Sequence, residues 1–324
     1  MAALSEFELI DRFFRRRARH AVLGVGDDAA LLAPTPGCEL AVSVDMLVAG
    51  RHFLADVDPE ALGHKALAVN LSDMAAMGAC PRWALLAGAL PNADAAWIGA
   101  FARGFFALAE AYGVDLVGGD TTKGPLNLCV TILGEAPAGQ ALRRSGARPG
   151  DTVFVSGRLG DAALAIAHHR QRVILAADEL AQCEAALLRP TPRVELGERL
   201  RGIATAAIDI SDGLVGDLGH VLDASGVGAT LELAALPCSA TLRRRLAGDE
   251  RSLALDCLLA GGDDYELCFT APARAAVDIG ALAEQLDLAL TCIGSIEERA
   301  GLVVRDESGQ ALQTLPVAFD HFRG

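Results

Sequence analysis

Several features of membrane, secreted and zinc-binding proteins are missing from this sequence of 324 residues. No uncharged apolar run reaches the roughly 18–20 residues that a membrane-spanning helix needs. The first turns of the chain carry acidic groups before their arginines and no cleavable apolar stretch, so we expect no secretory signal. The eight cysteines are scattered without a CxxC pair, which argues against a zinc ribbon and is typical of a reducing compartment. We therefore expect a cytoplasmic protein.

Positive charge and aromatic residues are also scarce. The chain has 28 Lys and Arg residues against 42 Asp and Glu residues, a formal net charge of −14, and 5% aromatic residues. Nonspecific nucleic-acid binding needs clustered positive charge, so nucleic acid is a poor candidate as a partner. A hydrophobic fraction of 52% and a mean hydropathy of +0.33 exclude a mostly disordered chain.

Apolar strand patterns alternate with helical patterns along the whole chain. A capping box at Ser5 and Glu8 opens a helical pattern over residues 5–18. Three strand patterns and two helical patterns then alternate in the first half, at residues 39–45, 59–78, 83–91, 94–112 and 128–136. The three strands are apolar enough to be buried on both faces, which is more than one small sheet with one helical layer demands.

Loop-forming residues concentrate in one stretch near the middle of the sequence, at 137–150. We place the domain boundary there, which gives an N-terminal domain of residues 1–138 and a C-terminal domain of residues 139–324. Strands and helices alternate again in the second half, beginning with an apolar run at 152–157. The expected fold class is α/β or α+β, with several strands in each of two domains.

One chemical feature recurs: aspartate stands beside Gly or Ser where apolar elements are expected to end. The instances are Asp27, Asp28, Asp45, Asp73, Asp120, Asp209, Asp212, Asp263 and Asp264. A single Asp-Gly pair is more often a turn than a site. The repetition favours a site, because a carboxylate next to a buried strand costs free energy unless a cation or hydrogen-bond donors compensate it. Carboxylates without His or Cys partners favour Mg²⁺ or Ca²⁺, and no EF-hand loop is present.

Glycine-rich turns accompany these aspartates, at Gly24, Gly26, Gly118, Gly119, Gly261 and Gly262. Such turns let backbone amides approach phosphate oxygens. The sequence contains no G-x-x-x-x-G-K-[ST] motif, no G-x-G-x-x-G opening a helix, and no kinase-type HRD or DFG set. The residues alone therefore predict a magnesium-dependent, phosphate-handling enzyme of a less common class.

Ten segments resemble the thiamine-monophosphate kinase family, within the wider group that includes aminoimidazole ribonucleotide synthetase and selenophosphate synthetase. They are SEFELIDRFF, GVGDDAALL, VDMLVAGRHF, GHKALAVNLSDMAAMGA, GGDTTKGP, RSGARPGD, RPTPRVELG, AIDISDGLVGDLGHVL, GGDDYELCFT and FDHF. They occur in order along nearly the whole chain. The combination of LVAGRHF, GGDTT and FDHF favours this family over its relatives.

The resemblance implies a two-domain aminoimidazole ribonucleotide synthetase-like fold, with N-terminal sheets pairing across a homodimer. It implies transfer of the γ-phosphoryl group of ATP to thiamine monophosphate, with several Mg²⁺ ions. Matching the motifs puts eight residues on metal-binding positions: Asp28, Ser43, Val44, Asp45, Asp73, Asp120, Asp209 and Asp212. ATP-contacting positions fall on Gly119, Asp120, Arg144 and Ser211, and substrate-binding positions on His52, Asp263 and Phe319.

Two of these positions depart from the family pattern. Val44 stands where Thr is usual, so only its backbone carbonyl is available to a metal. Asp263 stands where Glu is usual and is one methylene shorter, which puts its substrate contact in question.

The expected chemistry follows from charge. Donor and acceptor are both polyanions, and two unit charges about 4 Å apart repel by roughly 4 kcal/mol at an effective dielectric near 20. A phosphate monoester is already ionised at neutral pH, so we expect no general base and assign no catalytic residue. Two alternatives stay open: another ATP-dependent enzyme of the superfamily, such as a purine-biosynthesis synthetase, and a non-catalytic Mg²⁺-nucleotide-binding protein.

Overall fold

The computed structural model describes residues 5–318, and these divide into two compact units. Unit 1 comprises the described residues up to Met74 together with Ala79–Gly139, and unit 2 comprises Ala75–Gly78 and the described residues from Gln140 onward. Each unit contains its own sheet. Over residues 5–318, no helix combines the length and the apolar character needed to cross a bilayer.

Unit 1 begins with a short helical segment and continues with strands that flank two long helices. The helices are α1 (Glu6–Leu9), which continues into a π-helical turn at Ile10–Phe14, α2 (Pro59–Ala76) and α3 (Ala95–Ala111). The strands are β1 (Ala21–Leu23), β2 (Leu31–Leu32), β3 (Cys38–Val48), β4 (Cys80–Leu90), β5 (Asp115–Lys123) and β6 (Asn127–Pro137). The strands predicted at 39–45, 83–91 and 128–136 are thus confirmed.

The main sheet of unit 1 has the order β3-β6-β4-β5, in which only β4 and β5 pair in parallel. One face of β3 is directed at α2, since Ser43 donates a hydrogen bond to Asp73 of that helix. The residues that alternate with Ser43 along β3 lie on the opposite face and are exposed. They are Leu40 (45%), Val42 (61%), Val44 (57%) and Met46 (54%). In the single chain, β3 is therefore covered on one face and open on the other.

Helices α2 and α3 approach each other at two glycines. A Cβ added at Gly63 would overlap the carbonyl oxygen of Phe101, and one added at Gly104 would overlap that of Glu60. Asp94 caps α3 by accepting hydrogen bonds from the amides of Ala96 and Trp97. A buried stripe of α3 then faces the interior, at Ile98, Phe101, Ala102, Phe105, Leu108 and Ala109.

Three local predictions for unit 1 differ from the structure. The capping box of Ser5 and Glu8 is present, but the helix predicted over 5–18 ends at Phe14, where Arg15 turns to extended backbone (ψ 117°). The segment GGDTTK was expected as a turn and instead belongs to β5, because residues 118–123 pair with β4. Asp45 was expected at a strand end and lies inside β3, paired opposite Val130 of β6.

Unit 2 contains a six-stranded sheet surrounded by helices. Its strands are β7 (Asp151–Ser156), β8 (Ala206–Asp209), β9 (Gly228–Glu232), β10 (Leu267–Pro272), β11 (Leu290–Glu297) and β12 (Gly301–Arg305). Its helices are α4 (Asp161–His169), α5 (Ala177–Leu188), α6 (Val194–Leu200), α7 (Leu214–Ser225), α8 (Ala240–Leu246), α9 (Arg251–Ala260) and α10 (Ala276–Leu286). The strand order is β12-β9-β11-β7-β10-β8, and only β12 and β9 pair in parallel.

The core of unit 2 lies between one face of this sheet and its helices. Val153 and Val155 of β7 are fully buried there, together with Ile208 of β8 and Leu218 of α7. On the other face of the sheet, the rings of Phe154 and Phe269 stack with centroids 5.3 Å apart. The mixed α/β class expected for both halves is confirmed.

Substitution of Gly104 tests the close approach of α2 and α3. Alanine is the better helix former, but its Cβ has no space beside Glu60, so we expect Gly104→Ala to lower the free energy of unfolding by about 1–3 kcal/mol. Gly280 of α10 is the matched control, since nothing lies within 4 Å of an added Cβ there. We expect Gly280→Ala to raise the free energy of unfolding by about 0.5–1 kcal/mol. Equilibrium denaturation measures both, and a Gly104→Ala variant as stable as the parent contradicts the packing.

Candidate active site

A cleft of about 880 Å³ opens in unit 1 beside β4 and β5. Its polar wall combines carboxylates and glycines with one arginine and two threonines, at Asp11, Arg15, Gly26, Asp27, Asp28, Gly118, Gly119, Asp120, Thr121 and Thr131. Its apolar wall comes from the N-terminal helical segment and the sheet, at Phe7, Ile10, Phe14, Leu32, Leu85 and Leu133. The volume is within the usual range for small-molecule sites, and the two walls suit a ligand with a polar and an apolar part.

The loop that carries Asp28 is shaped by its own side chains. Gly26 has φ +127°, a backbone conformation that favours glycine. The amide of Asp28 donates a 2.9 Å hydrogen bond to Oδ1 of Asp27. Both aspartates are exposed and line the cleft. The carboxylate of Asp27 thus stabilises the turn, while that of Asp28 contributes negative charge to the cleft.

Gly119 and Asp120 reach the same cleft from β5. A Cβ at Gly119 would overlap the carbonyl oxygen of Leu86, so this position accepts no side chain while β4 and β5 remain paired. Asp120 follows directly, opposite Ala87, and is exposed. Gly119 therefore allows β4 and β5 to pair closely, and this pairing places Asp120 at the cleft.

A second group of candidate residues lies where β3 meets α2. The hydroxyl of Ser43 donates to Oδ2 of Asp73 at 2.5 Å. Asp45 lies two residues further along β3 and shares the face of Ser43. Burial and, after it, the charge of Asp45 raise the pKa of the Cys129 thiol. Asp73 lies in the last turn of α2, while the N-terminus of α2 is capped by Asp58, which accepts from the amide of Ala61. Asp73 is therefore not a helix cap.

Two further candidates of unit 1, Val44 and His52, lie in β3 and in the turn that follows it. Val44 directs its side chain to the open face of β3, where it is 57% exposed. His52 follows β3 in a turn, and its Nδ1 accepts a 2.9 Å hydrogen bond from the amide of Val48. Because Nδ1 is an acceptor, the proton of the neutral ring is on Nε2.

The candidates of unit 2 converge on the turn after β8. Asp209 ends that strand and is buried, and Ser211 and Asp212 follow in the turn itself. The amides of Ser211, Asp212 and Gly213 all donate to Oδ2 of Asp217, at 3.0, 3.1 and 3.0 Å. Burial raises the pKa of Asp217 to about 7, against the lowering effect of these three donors.

Asp263 is brought to this turn by its own backbone. Its amide donates to the carbonyl oxygen of Ser211 at 2.8 Å. Asp263 and Tyr265 both have left-handed φ values, +61° and +51°, which are uncommon for residues other than glycine. The hydroxyl of Tyr265 donates to Oδ1 of Asp263 at 3.0 Å and so orients its carboxylate. Between them, Asp264 is partly buried, and desolvation by its surroundings raises its pKa well above the usual range.

Two predicted site residues stand apart from these groups. Arg144 is exposed, and the hydroxyl of Ser225 donates to its carbonyl oxygen at 3.3 Å. Phe319 lies outside the described residues.

The donor set limits which metal site is possible. Among residues 5–318, no group of three or more His, Cys, Asp or Glu side chains is arranged to hold a metal ion by itself. The candidate groups instead offer one or two carboxylates with a hydroxyl or backbone groups. Mg²⁺ is bound in this way, with few carboxylates and with water and substrate phosphates completing its shell. The residues present therefore fit Mg²⁺ held together with phosphates.

Sequence reasoning missed two contributors. Asp217 is the acceptor that organises the Ser211 turn, but in the sequence it resembles any acidic residue in the first turn of a helix. Phe7 and Ile10 also line the cleft, although the sequence pattern of their segment predicted only a helix. For Asp217, the available signal in the sequence was its position shortly after the SDG segment of residues 211–213.

Comparison with known proteins identifies the family. The model of AIR synthase related protein, N-terminal domain, matches residues 26–136, and that of the C-terminal domain matches residues 148–307. Thiamine-monophosphate kinase of Salmonella typhimurium is 48% identical over 328 residues, covering 98% of this chain and 97% of the relative. The chain belongs to the thiamine-monophosphate kinase branch of the AIR synthase related proteins. The resemblance inferred from the motifs is thereby confirmed.

Solved structures agree with this assignment. Thiamine-monophosphate kinase from Stenotrophomonas maltophilia K279a superposes with a TM-score of 0.85 at 48% identity, covering 96% of this chain and 99% of the other. AaThiL complexed with AMPPCP and TMP superposes with a TM-score of 0.76 at 32% identity, covering 98% and 97%. The two-domain fold expected from the family is confirmed.

Proposed function

We propose that this protein transfers the γ-phosphoryl group of ATP to the phosphate of thiamine monophosphate, giving ADP and thiamine diphosphate. A phosphate oxygen of the acceptor attacks the γ-phosphorus, and the bond from that phosphorus to the β,γ-bridging oxygen breaks. The observation that carries the proposal is the nearly full-length match to thiamine-monophosphate kinases. The relative bound to AMPPCP, an ATP analogue, and to TMP supports the same pair of substrates.

The candidate residues divide into metal, nucleotide and substrate roles. Mg²⁺, when bound, supplies positive charge between the two phosphate chains. In unit 1 the residues proposed to hold it are Asp28, Ser43, Val44 through its carbonyl, Asp45, Asp73 and Asp120, and in unit 2 they are Asp209 and Asp212. Gly119, Asp120, Arg144 and Ser211 are proposed to contact ATP, and His52, Asp263 and Phe319 to hold thiamine monophosphate.

The charge of the chain itself supports a requirement for cations. Asp27, Asp28 and Asp120 line the cleft of unit 1, and the arginine of its lining, Arg15, is ion-paired with Asp11. A nucleoside triphosphate in this cleft would therefore meet an excess of carboxylates of its own sign. Each close pair of like charges costs roughly 4 kcal/mol near a protein surface. Because the acceptor phosphate is already ionised, the chain has only to position the two phosphates in line and leave a path for the oxygen.

We also propose that two copies pair through the open face of β3. Leu40, Val42, Val44 and Met46 form an exposed apolar row on this strand. β3 is at the edge of its sheet, and a long apolar edge strand without a partner is rare in stable monomers. A second copy supplies a surface of the same composition.

The acceptor specificity tests the proposed reaction. We expect release of ADP from Mg-ATP with thiamine monophosphate and no release above background with free thiamine, because the attacking group is a phosphate oxygen. A coupled ADP assay with both acceptors measures this. Equal turnover of free thiamine contradicts transfer to a phosphate.

Asp73→Asn tests the proposed metal role of the Ser43–Asp73 pair. The variant keeps the shape of the side chain and its ability to accept from Ser43 but removes the charge. We expect kcat to fall at least about 100-fold, since charge neutralisation acts mainly in the transition state. The melting temperature without Mg²⁺ should be unchanged or higher, because carboxylate repulsion is relieved.

The matched control is Asp94→Asn, also in unit 1. Asparagine caps helices as well as aspartate does, so neither turnover nor stability should change. Turnover at saturating ATP across a Mg²⁺ titration and a thermal melt with and without Mg²⁺ provide the measurements. An Asp73→Asn enzyme with parental kcat and parental Mg²⁺ dependence shows that Asp73 is no ligand.

Val42→Arg tests the proposed dimer. We expect the parent to sediment as a dimer at micromolar concentration and the variant as a monomer, because in the dimer a charge on the open face of β3 would be desolvated without a partner charge. Val277→Arg is the control, since Val277 is also exposed (80%) but lies on α10 of unit 2. A monomeric parent rules out the dimer.

A further inference from the structure

Three consecutive backbone amides converge on one buried carboxylate in unit 2. The amides of Ser211, Asp212 and Gly213 donate to the same oxygen, Oδ2 of Asp217. Asp217 lies in the first turn of α7 and is 4% exposed. Replacing it by an apolar residue would leave three backbone donors, one buried and two partly buried, without their acceptor, which is destabilising.

The opposite side of the turn is fixed by the segment that precedes β10. The carbonyl oxygen of Ser211 accepts from the amide of Asp263, and that of Ile210 accepts from the amide of Tyr265, both at 2.8 Å. The amide of Ile210 in turn donates to the carbonyl oxygen of Glu266 at 2.8 Å. The peptide groups of the turn are thus held on both sides, by Asp217 and by this backbone ladder.

Glycines let the turn lie close to its neighbours. Gly213 has φ +114°, and an added Cβ there would be 2.6 Å from Cα of Ala260. Gly262 has φ +60°, and an added Cβ would be 2.5 Å from the carbonyl oxygen of Ser211. Backbone hydrogen bonds, close backbone packing and the carboxylate of Asp217 therefore set the position of Ser211 and Asp212, without a contribution from the side chains of these two residues.

Consecutive amides that point at one spot ordinarily make an anion-binding concavity. Here the chain fills that concavity with its own carboxylate, so these amides are not offered to a phosphate. What the turn can present to a ligand is the hydroxyl of Ser211 and the carboxylate of Asp212, and both are oxygen donors that suit a hard cation.

We infer that Asp217 is a positioning residue for phosphoryl transfer: it holds the Ser211–Gly213 turn in the conformation that presents Ser211 and Asp212 to the metal–nucleotide complex. The inference rests on the proposed function for its effect on turnover. Its structural part, the three hydrogen bonds to one carboxylate oxygen, is independent of that function.

Asp217→Asn separates positioning from folding. The amide keeps the size of the side chain but replaces charge-assisted hydrogen bonds by weaker ones. In the protein without ligands, we expect amide hydrogen exchange of a peptide covering residues 210–217 to be at least ten-fold faster than in the parent, with other segments unchanged. With substrates, we expect the Mg²⁺ concentration for half-maximal turnover to rise at least ten-fold, and excess Mg²⁺ to restore part of kcat.

Asp161→Asn is the matched control, a second buried aspartate of unit 2. Asp161 accepts from the side chains of Ser239 and Gln182, and its hydrogen bonds do not involve the turn. This variant should lose stability while keeping the parental Mg²⁺ requirement and the parental exchange of residues 210–217. If Asp217→Asn does not fold, Asp217→Glu keeps the charge, and its longer side chain should shift the turn and raise the Mg²⁺ requirement in the same way.

The outcomes distinguish this inference from the proposed function. A parent that releases ADP only with thiamine monophosphate, combined with an Asp217 variant of parental exchange or parental Mg²⁺ requirement, overturns the positioning role and leaves the function intact. A parent that releases no ADP overturns the function. In that case the exchange of residues 210–217 decides the structural role alone: faster exchange supports it and parental exchange overturns it.

Discussion

Strand pairing in the four-stranded sheet fixes the candidate residues of unit 1. β3 carries Ser43 and Asp45 toward α2, and β5 carries Asp120 to the cleft, while β6 and β4 between them set the register. A slip of one residue in β3 would turn both polar residues to the open face and bring Val44 against the helix. The chemistry of this unit therefore depends on a register that the backbone hydrogen bonds maintain.

Unit 2 holds its candidate residues in place in a different way. Asp209 ends β8, but Ser211 and Asp212 lie in the turn that follows, outside the strand pairing of the sheet. The carboxylate of Asp217 and the backbone of residues 263–266 hold this turn. Both units thus present oxygen ligands from backbone that is fixed by hydrogen bonds to neighbouring segments, which limits the reorganisation needed when a cation and phosphates bind.

The sequence predicted the family, the two-domain α/β class and the main strands, because motifs and apolar periodicity can be recognised in short segments of sequence. It did not predict that residues 118–123 form a strand: glycine and aspartate favour turns on their own, and only pairing with β4 overrides them. It placed Asp45 at a strand end, since β3 continues to Val48 only through its partner β6. The sequence did not indicate a role for Asp217, because its contacts are to three backbone amides, and backbone amides are the same for nearly every residue type.

The order of strands in unit 1 has a consequence for synthesis. β3 pairs only with β6 in this sheet, and β6 begins about 80 residues after β3 ends. At ~5–20 residues per second, a ribosome needs roughly 4–16 s to cover that distance. Throughout this interval the apolar row of β3 is without its native neighbour, and α2 is the first element available to cover one of its faces. The interval is long compared with the microseconds in which hairpins form, so this strand needs protection from other chains during synthesis.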